Sequence, residues 1–290
     1  MIYLTGCTGF IGRSLLQKFE QLGIKSVGIS RSRCFTDLYP NHKCFQLDLL
    51  SENLPLNLFE EPNSVLIHLS WIATPGLFWN SLENDLWSIK SKALFDAFFV
   101  SIGSKVINIG SSAEYFSMTS APIDENQKIG GQTNYGKTKS QVAQYLEEEY
   151  VNRFTHLRVF NLYGLVENSG RFIPDCIDNL SQGIPFRVQH PKQVRDFLFI
   201  DDLLITILQC LKLEPLGYLN VGTGIGTTLE RVAELIGRQM GAPDLIDLLE
   251  FSSDNSSIVA SMLKFNEVFP NFKTTDLETG ILKSIAARRA

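Results

Sequence analysis

The chain has 290 residues, of which 44% are hydrophobic and 20% charged, which suits one large α/β domain with or without a smaller lobe. A net charge of −5 and an isoelectric point near 5.5, with basic residues scattered along the chain, argue against a nucleic-acid binder. No apolar run approaches the about 18 residues that a membrane span needs, so we expect no such span. The histidines have no metal-ligand spacing, so we expect no metal site.

The first predicted element is a short apolar strand over residues 1–5, followed by the segment TGCTGFIG and an amphipathic helix. Glycines in this segment let the backbone turn tightly and approach a pyrophosphate, which then sits at the helix N-terminus. Three glycines alone are weak evidence, but a position between a strand and a helix is the context that the motif requires. The residues expected to bind a dinucleotide here are Gly6, Gly9, Phe10, Ile11 and Gly12.

The second strand, Ser26–Ser30, runs into the sequence Ser30-Arg31-Ser32-Arg33. Sites that prefer NAD usually carry an acidic residue here, which holds the ribose 2′-hydroxyl. A hydroxyl and two guanidinium groups fit a 2′-phosphate instead, because arginine binds phosphate through a bidentate fork. The sequence therefore favours NADP(H) over NAD(H), with Ser30, Arg31 and Arg33 as ligands; the alternative is that both arginines are solvated loop charges.

Strands and helices continue to alternate, which predicts an α/β fold with a doubly wound parallel Rossmann sheet. The further predicted strands span residues 44–50, 65–70, 105–112 and 155–164, and the helices span residues 82–100 and 134–150. Asp48, which could meet the adenine, Leu49 and Leu69 complete the expected cofactor contacts on these strands.

The alternation changes near residue 165, which indicates a smaller C-terminal α/β lobe. We expect the NAD(P)-binding Rossmann domain to comprise residues 1–164 and 196–224. Residues 165–195 and 225–290 would then form the substrate-binding lobe.

Tyr135 and Lys139 are four residues apart at the start of the predicted helix 134–150, so they share one face. A nearby ammonium lowers the pKa of a phenol, which an oxidoreductase needs in order to use tyrosine at neutral pH. Ser112 ends a predicted strand, where its hydroxyl could bind a substrate carbonyl beside the phenol. The Tyr–Lys spacing alone is more typical of a packed tyrosine beside a solvated lysine, so the rest of the chain decides.

These features together resemble the extended branch of the short-chain dehydrogenase/reductase superfamily, the NAD(P)-dependent nucleotide-sugar epimerases, dehydratases and reductases. The segments that carry the resemblance, in the family's order, are TGCTGFIG, IHLS, IGSSAEY, PIDE, YGKTK, RVFNLYG, GRFIP, VRDFLFIDD and LNVGTG. The resemblance implies that Ser112, Tyr135 and Lys139 are the catalytic trio, and that Asn84 is a supporting polar residue at the cofactor.

The resemblance also implies that Asn161 and Arg195 hold the nucleotide diphosphate of a sugar substrate. Guanidinium groups are suited to a diphosphate, although Arg195 could instead pair with a neighbouring aspartate such as Asp196. The expected substrate-binding residues are Ser112, Glu114, Asn161, Arg171, Phe172 and Arg195.

Departures from the family pattern narrow the reaction. The 4,6-dehydratases usually follow the catalytic hydroxyl with an Asp-Glu pair, whereas Ser112 is followed here by Ala113 and Glu114. Ala113 also replaces the cysteine that GDP-fucose-synthase-like enzymes use for epimerisation. Phe116 stands where many members have glycine, and the Trp-rich segment SWIATPGLFWNS indicates either an unusual sugar pocket or simple packing.

Two enzymatic interpretations remain. The first is NADPH-dependent reduction of a nucleotide 4-keto-6-deoxyhexose. The second is an NAD-dependent 4-epimerase, which would normally carry the ribose-binding acid that this chain lacks after its second strand. A third interpretation, a non-catalytic dinucleotide-sensing relative, fits poorly with an intact trio because a sensor needs no proton donor.

The expected partner is a nucleotide sugar, and a homodimer is implied by resemblance only. The five cysteines lack CxxC spacing and are interpreted as free thiols in a reducing compartment. The N-terminus begins directly with a strand pattern rather than a signal peptide, so we expect a cytoplasmic protein.

Overall fold

The computed structural model describes residues 1–32, 38–55, 57–116, 122–165, 167, 169–249 and 255–289. The strands in chain order are β1 (Ile2–Thr5), β2 (Ser26–Ser30), β3 (His42–Gln46), β4 (Val65–His68), β5 (Lys105–Ser111), β6 (Phe154–Val159), β7 (Asn161–Tyr163), β8 (Phe186–Val188), β9 (Val194–Phe199), β10 (Gly217–Val221), β11 (Gly226–Thr228), β12 (Ile246–Leu248) and β13 (Ser257–Ile258). The helices are α1 (Phe10–Gln21), α2 (Glu83–Val100), α3 (Asn134–Glu149), α4 (Phe172–Ser181), α5 (Ile200–Leu213), α6 (Leu229–Met240), α7 (Leu263–Val268) and α8 (Leu277–Arg289).

Seven strands form a parallel central sheet in the order β10-β6-β5-β4-β1-β2-β3. Strands β5 and β6 are buried at almost every position, which is typical of strands covered on both faces. The order reverses at β1, which pairs with β2 on one side and with β4 on the other. Ligands of such sheets bind beyond the strand C-termini at this switch point. The predicted α/β class and doubly wound Rossmann sheet are confirmed.

Local sequence explains where the two helices nearest the candidate site begin. Helix α1 starts directly after Gly9 and buries a single face at three- and four-residue spacing, which includes Leu15 and Phe19. Helix α3 starts after Thr133, whose hydroxyl accepts a hydrogen bond from the Gly136 N–H at 3.2 Å. That cap fixes Tyr135 in the first turn of α3.

The third and sixth strands end before the predicted residues for identifiable reasons. The third strand stops at residue 46 rather than 50, and the Asp48 carboxylate then accepts a hydrogen bond from the Leu50 N–H at 3.0 Å, which closes a turn. The sixth strand is interrupted at Phe160, whose N–H donates to the Val221 carbonyl at 3.0 Å. Residues 161–163 then form β7, which pairs with β9 outside the central sheet.

The chain divides into two compact units. The first comprises Met1–Phe116, Ile129–Arg158 and Leu204–Leu219, and the second comprises Ser117–Lys128, Val159–Leu203 and Asn220–Ala290. The second unit holds a sheet in which β9 pairs with β7, β11 and β13, and a smaller pairing of β12 with β8.

The cysteines differ from the expectation at one position. Cys7, Cys176 and Cys210 are buried free thiols. Cys44 is disulfide-bonded, so the free-thiol interpretation is wrong for that residue. Of the helices in the described ranges, none has the length and apolar character to cross a membrane.

Candidate active site

The glycine-rich turn after β1 is built so that only glycine fits. Gly6 has a φ of +65°, and a Cβ there would lie 2.9 Å from the Ser70 nitrogen. A Cβ on Gly12 would lie 2.6 Å from the Cys7 Cα, so this helix packs directly on the turn. Among the described residues, no side chain caps the start of α1 at Gly9, and the first turn of α1 carries no acid. The turn therefore offers helix N–H groups to an anion, which fits the pyrophosphate of a dinucleotide.

The end of β2 approaches this turn through hydroxyl groups. The Ser30 hydroxyl lies 3.0 Å from that of Thr8 and 3.4 Å from that of Ser32. Arg31 is exposed, with its carbonyl accepting a hydrogen bond from Gln46 at 3.2 Å. The expected ligand Arg33 lies outside the described residues. The described part of this turn thus contains hydroxyls and a cation, as the NADP(H) hypothesis requires.

The other expected cofactor contacts lie after β3 and β4. The Leu50 N–H, and to a lesser extent a nearby serine and Arg31, hold the pKa of Asp48 below its usual range. Leu49 is buried beside it. The Leu69 N–H donates to the Thr5 hydroxyl at 3.1 Å, so this residue is tied to the end of β1.

Ser112 follows β5 as the first residue of a short 3₁₀ turn, Ser112–Glu114. The preceding Ser111 caps that turn by accepting a hydrogen bond from the Ala113 N–H at 3.2 Å. Within the described residues, nothing engages the Ser112 hydroxyl, which is half-buried. Of the two adjacent serines, Ser112 is therefore the one available to a substrate.

Lys139 is 3% exposed and connects α3 to β5, because its ammonium donates to the Ile109 carbonyl at 2.8 Å. The same ammonium lies 4.1 Å from the centroid of the Trp71 ring. Burial lowers the pKa of Lys139 to about 7, although the negative charge of Glu114 opposes the shift. The lysine is thus a buried group that titrates close to neutrality.

Tyr135 packs between aromatic rings of the segment that precedes α2. Its ring meets Phe78 edge-on at 5.0 Å and Trp79 edge-on at 5.8 Å. Its N–H donates to the Trp79 carbonyl at 3.0 Å. The aromatic segment therefore contacts both Tyr135 and Lys139.

Asn84 is fully buried at the start of α2 and braces this aromatic segment. Its carbonyl oxygen accepts a hydrogen bond from the Trp71 indole N–H at 2.8 Å, and its amide donates to the carbonyls of Phe78 (2.7 Å) and Ser81 (2.8 Å). These contacts give Asn84 a positioning role and leave little capacity for the expected cofactor contact.

Glu114, expected to bind substrate, is instead fully buried among protein donors. Its carboxylate accepts hydrogen bonds from His156 at 2.9 Å, Arg158 at 3.1 Å and the Ser111 N–H at 2.8 Å. Burial would raise its pKa, but His156, then Arg158 and the Ser111 N–H outweigh burial and hold the pKa at about 2. We correct the expectation: a substrate could reach this carboxylate only by breaking the network.

The tautomer of His156 follows from its neighbours. The Asn108 amide donates to Nδ1 at 2.9 Å, so Nδ1 carries no proton and Nε2–H donates to Glu114. Burial lowers the pKa of His156, in agreement with a neutral ring.

The four remaining substrate candidates lie in the second unit. Asn161 opens β7, and Phe172 opens α4 with its ring 5.3 Å from that of Phe186. The Nε of Arg171, at the N-cap of α4, is 3.6 Å from a carboxylate oxygen of Glu167.

Arg195 donates to the carbonyls of Val194 (2.8 Å) and Ser256 (2.9 Å), and to the side chain of Gln193 at 2.8 Å. Asp196, one suggested partner of Arg195, accepts hydrogen bonds from Thr223, Gly224 and Ala260. Its carboxylate thus fastens the glycine turn after β10.

A model of the NAD dependent epimerase/dehydratase family matches residues 2–222. The chain belongs to the NAD dependent epimerase/dehydratase family. The family and enzyme type expected from the ordered motifs are thereby confirmed, and the family description makes a nicotinamide dinucleotide the cofactor class.

Relatives in the epimerase/dehydratase family cover most of the chain. It is 29% identical to a CDP-abequose synthase of Salmonella typhimurium over 254 residues, 79% of this chain and 77% of the relative. Its fold is similar to UDP-N-acetylglucosamine 4-epimerase from Methanobrevibacter ruminantium M1, solved with UDP-N-acetylmuramic acid, at 20% identity, a TM-score of 0.85 and 99% and 97% coverage. It is also similar to the Bordetella bronchiseptica enzyme WbmG, solved with NAD, at 20% identity, a TM-score of 0.83 and 99% and 93% coverage.

Sequence reasoning missed several residues that organise this family member's site. Thr5 and His68 face each other across β1 and β4, with the Thr5 hydroxyl 2.9 Å from His68 Nδ1. Burial, and then the charge of Lys139, lower the pKa of His68 to about 3, so its ring is neutral. Only strand register brings this pair together, whereas Thr8 stands inside the glycine motif and could have been noticed. In the described part of the chain, no cluster of acidic, histidine and cysteine side chains could hold a metal ion.

Proposed function

We propose that this protein is an NADPH-dependent reductase of a nucleotide-activated 4-keto-6-deoxyhexose. The observation that carries the proposal is the 2.8 Å bond from Lys139 to the Ile109 carbonyl, which joins α3 to β5. That contact ties the helix that bears Tyr135 to the strand that runs into Ser112. Hydroxyl, phenol and ammonium are the groups that carbonyl reduction needs.

The bound dinucleotide would supply a hydride for the carbonyl carbon. Tyr135 donates a proton to the carbonyl oxygen, so that the ketone becomes a secondary alcohol with one new C–H and one new O–H bond. Ser112 donates a hydrogen bond to the same oxygen, and Lys139 stabilises the phenolate that remains on Tyr135. The lysine would also hold the ribose hydroxyls of the dinucleotide.

The preference for NADPH rests on the turn after β2. Ser30, Arg31 and Arg33 offer a hydroxyl and two cations where an NAD site usually has an acid. A cofactor with a 2′-phosphate would deliver net reducing power, as a reductase requires. Gly6, Gly9, Gly12 and the start of α1 would hold its pyrophosphate.

Asn161, Arg171, Phe172 and Arg195 are our candidates for holding the nucleotide diphosphate. The last three belong to the proposed substrate lobe, residues 165–195 and 225–290, and Asn161 precedes it. Arg171 is the more exposed of the two arginines, with 42% of its side chain accessible to solvent. Arg195 would have to exchange some of its present hydrogen bonds for phosphate contacts. The name of the CDP-abequose synthase relative supports a nucleotide sugar as substrate.

A 4-epimerase is the second candidate, because the same trio can oxidise and then re-reduce one carbon, and the fold is similar to that of a 4-epimerase. A 4,6-dehydratase is not a candidate, because position 113 carries alanine where those enzymes have a carboxylate.

A homodimer stays a prediction, to be tested by light scattering on the purified protein.

The deciding experiment measures binding of NADPH and NADH to the purified protein, and then absorbance of the reduced nicotinamide with a panel of nucleotide 4-keto-6-deoxysugars. Preference for NADPH and its consumption with one sugar would support the reductase. Protein that purifies with NAD bound and converts a sugar without net cofactor change would establish the epimerase instead.

Two variants test the residue assignments. Tyr135→Phe should lower turnover by about 10²–10⁴-fold while dinucleotide binding persists. Tyr145→Phe, on the same helix but bonded to Asp96, is the matched control. Arg31→Asp should weaken NADPH binding and spare NADH; unchanged NADPH affinity would contradict the cofactor assignment.

A further inference from the structure

All three tryptophans of the chain, Trp71, Trp79 and Trp87, lie within one short segment that includes the start of α2. Two of them touch the proposed catalytic groups: Trp79 meets the ring of Tyr135, and Trp71 meets the ammonium of Lys139. From the amino-acid sequence this enrichment is equally compatible with a sugar pocket and with packing. The geometry points to a different role for Trp71.

Trp71 is held from two directions. Its indole N–H donates to Asn84 at 2.8 Å, and its ring stacks on Trp87 with centroids 6.2 Å apart and planes 26° apart. Asn84 is itself fixed by the carbonyls of Phe78 and Ser81. The indole therefore presents a braced face to Lys139, 4.1 Å from the ammonium.

Lys139 needs such support because its other contacts are few. The described ones are the Ile109 carbonyl and the Trp71 face. Two effects on the charge of Lys139 oppose each other. Burial disfavours the ammonium, and the ionised carboxylate of Glu114 favours it. His68 and His156 also interact with the charge of Lys139, and burial lowers the pKa of both, so both rings are neutral at neutral pH.

We propose that Trp71 is a positioning residue for Lys139, holding the side chain charged and oriented toward β5 until the cofactor ribose takes over its hydrogen bonds. This inference rests on the proposed use of Lys139 in catalysis. Asn84 acts one step behind, because it fixes the plane of the indole that Lys139 meets.

The first test needs neither substrate nor cofactor. In a Trp79→Phe, Trp87→Phe protein, Trp71 is the sole tryptophan, and its emission reports the charge of the neighbouring lysine. We expect the emission to titrate with a midpoint near 7, where burial places the pKa of Lys139. The titration should vanish in the same protein with Lys139→Met. An emission that does not change between pH 5 and pH 11, or a titration that survives Lys139→Met, would overturn the inference.

The second test uses the pH dependence of turnover. A ring face favours the ammonium by an amount that corresponds to roughly one pKa unit, so Trp71→Leu should move the alkaline limb about one pH unit lower. Trp71→Phe keeps an aromatic face and should restore most of the shift, and Trp87→Phe should leave the limb in place. Equal behaviour of Trp71→Leu and Trp87→Phe would reduce Trp71 to packing and overturn the inference.

The two tests separate this inference from the proposed reaction. If the emission titrates as expected but no sugar is reduced, the contact between Trp71 and Lys139 stands and the assigned reaction fails. If a sugar is reduced but the emission does not titrate, the reaction stands and the role of Trp71 fails. If Trp71→Leu does not fold, the emission titration still tests the inference, because that protein keeps Trp71.

Discussion

Two buried glutamates, one in each compact unit, show how differently this chain treats buried charge. Glu114 in the first unit receives hydrogen bonds from His156, Arg158 and Ser111, and its pKa is held at about 2. Glu167 in the second unit has Arg171 at 3.6 Å, and its Oε2 has no hydrogen-bond partner among the described residues. Burial is the main cause that raises the pKa of Glu167 to about 7, against the opposing charge of Arg171.

The lesson is that burial alone does not fix the state of a carboxyl group. Both side chains are almost inaccessible, yet the number and charge of the donors decide whether the proton stays or leaves. We expect Glu114 to be a permanent structural anion and Glu167 to be a group that gains and loses a proton near neutrality.

The largest effect should come from Glu114→Gln. The substitution leaves the Arg158 guanidinium buried without its counter-charge, which costs about 3–5 kcal/mol of unfolding free energy. Glu167→Gln is the matched control, and it should be neutral or stabilising at pH 8 because no charge is stranded. Urea unfolding of both variants at that pH measures the difference, and equal losses would end the comparison.

Gly110→Ala should disturb the same network from the backbone. A Cβ at Gly110 would collide with His156 Nε2 and Glu114 Oε1, so we expect a loss of about 1–3 kcal/mol. Combining it with Glu114→Gln should cost less than the sum of the two, because both act on one contact. Strict additivity in the double variant would mean that Gly110 acts elsewhere.

Stability should change with pH in opposite directions for the two glutamates. The pKa of Glu167 is raised in the folded state, so its ionisation destabilises the fold as pH rises above the unfolded value of about 4.3, and stability should increase by about 2 kcal/mol from pH 8 to pH 5. The pKa of Glu114 is lowered, so its contribution is complete above about pH 4.3 and is lost as pH falls toward 2.

Unfolding free energies of the wild type and of Glu167→Gln, measured from pH 5 to pH 8, check the Glu167 part of this prediction. The variant should lose the increase toward low pH that the wild type shows. Parallel curves for the two proteins would assign the effect to another group.

The smallest effect should come from Arg171→Ala. The Arg171 charge lowers the pKa of Glu167, but the guanidinium is 42% exposed, so screening limits its influence to a fraction of a pH unit. In the variant, the pH at the midpoint of the Glu167-dependent change in unfolding free energy should be higher than in the wild type. Arg187→Ala, which removes an exposed arginine paired with Asp247, should leave the midpoint in place.

Much of the fold was predictable because parallel strands in this chain are short apolar runs separated by glycine turns. The glycines at positions 6 and 12 meet a backbone requirement that can be read directly from the sequence. The four-residue spacing of Tyr135 and Lys139 likewise places both side chains on one helix face. Family membership followed from the order of such segments.

What escaped prediction depends on contacts between distant residues. Glu114 stands beside Ser112 in sequence and was therefore expected to face substrate, yet the 3₁₀ turn directs it toward His156 and Arg158 on β6. The contact of Trp71 with Lys139 joins the loop after β4 to helix α3, and no local sequence pattern predicts that approach. The break at Phe160 likewise depends on a hydrogen bond to Val221, which lies far along the chain.

The order of strands in the central sheet also has a consequence for biosynthesis. β10 is the outer neighbour of β6, and the chain builds β7, β8, β9, α4 and α5 before it reaches β10. While the nascent chain leaves the ribosome, β6 therefore lacks its outer neighbour until residues 217–221 emerge. Unpaired edges of this kind recruit other strands, so premature termination between β6 and β10 should yield fragments that aggregate and depend on chaperones.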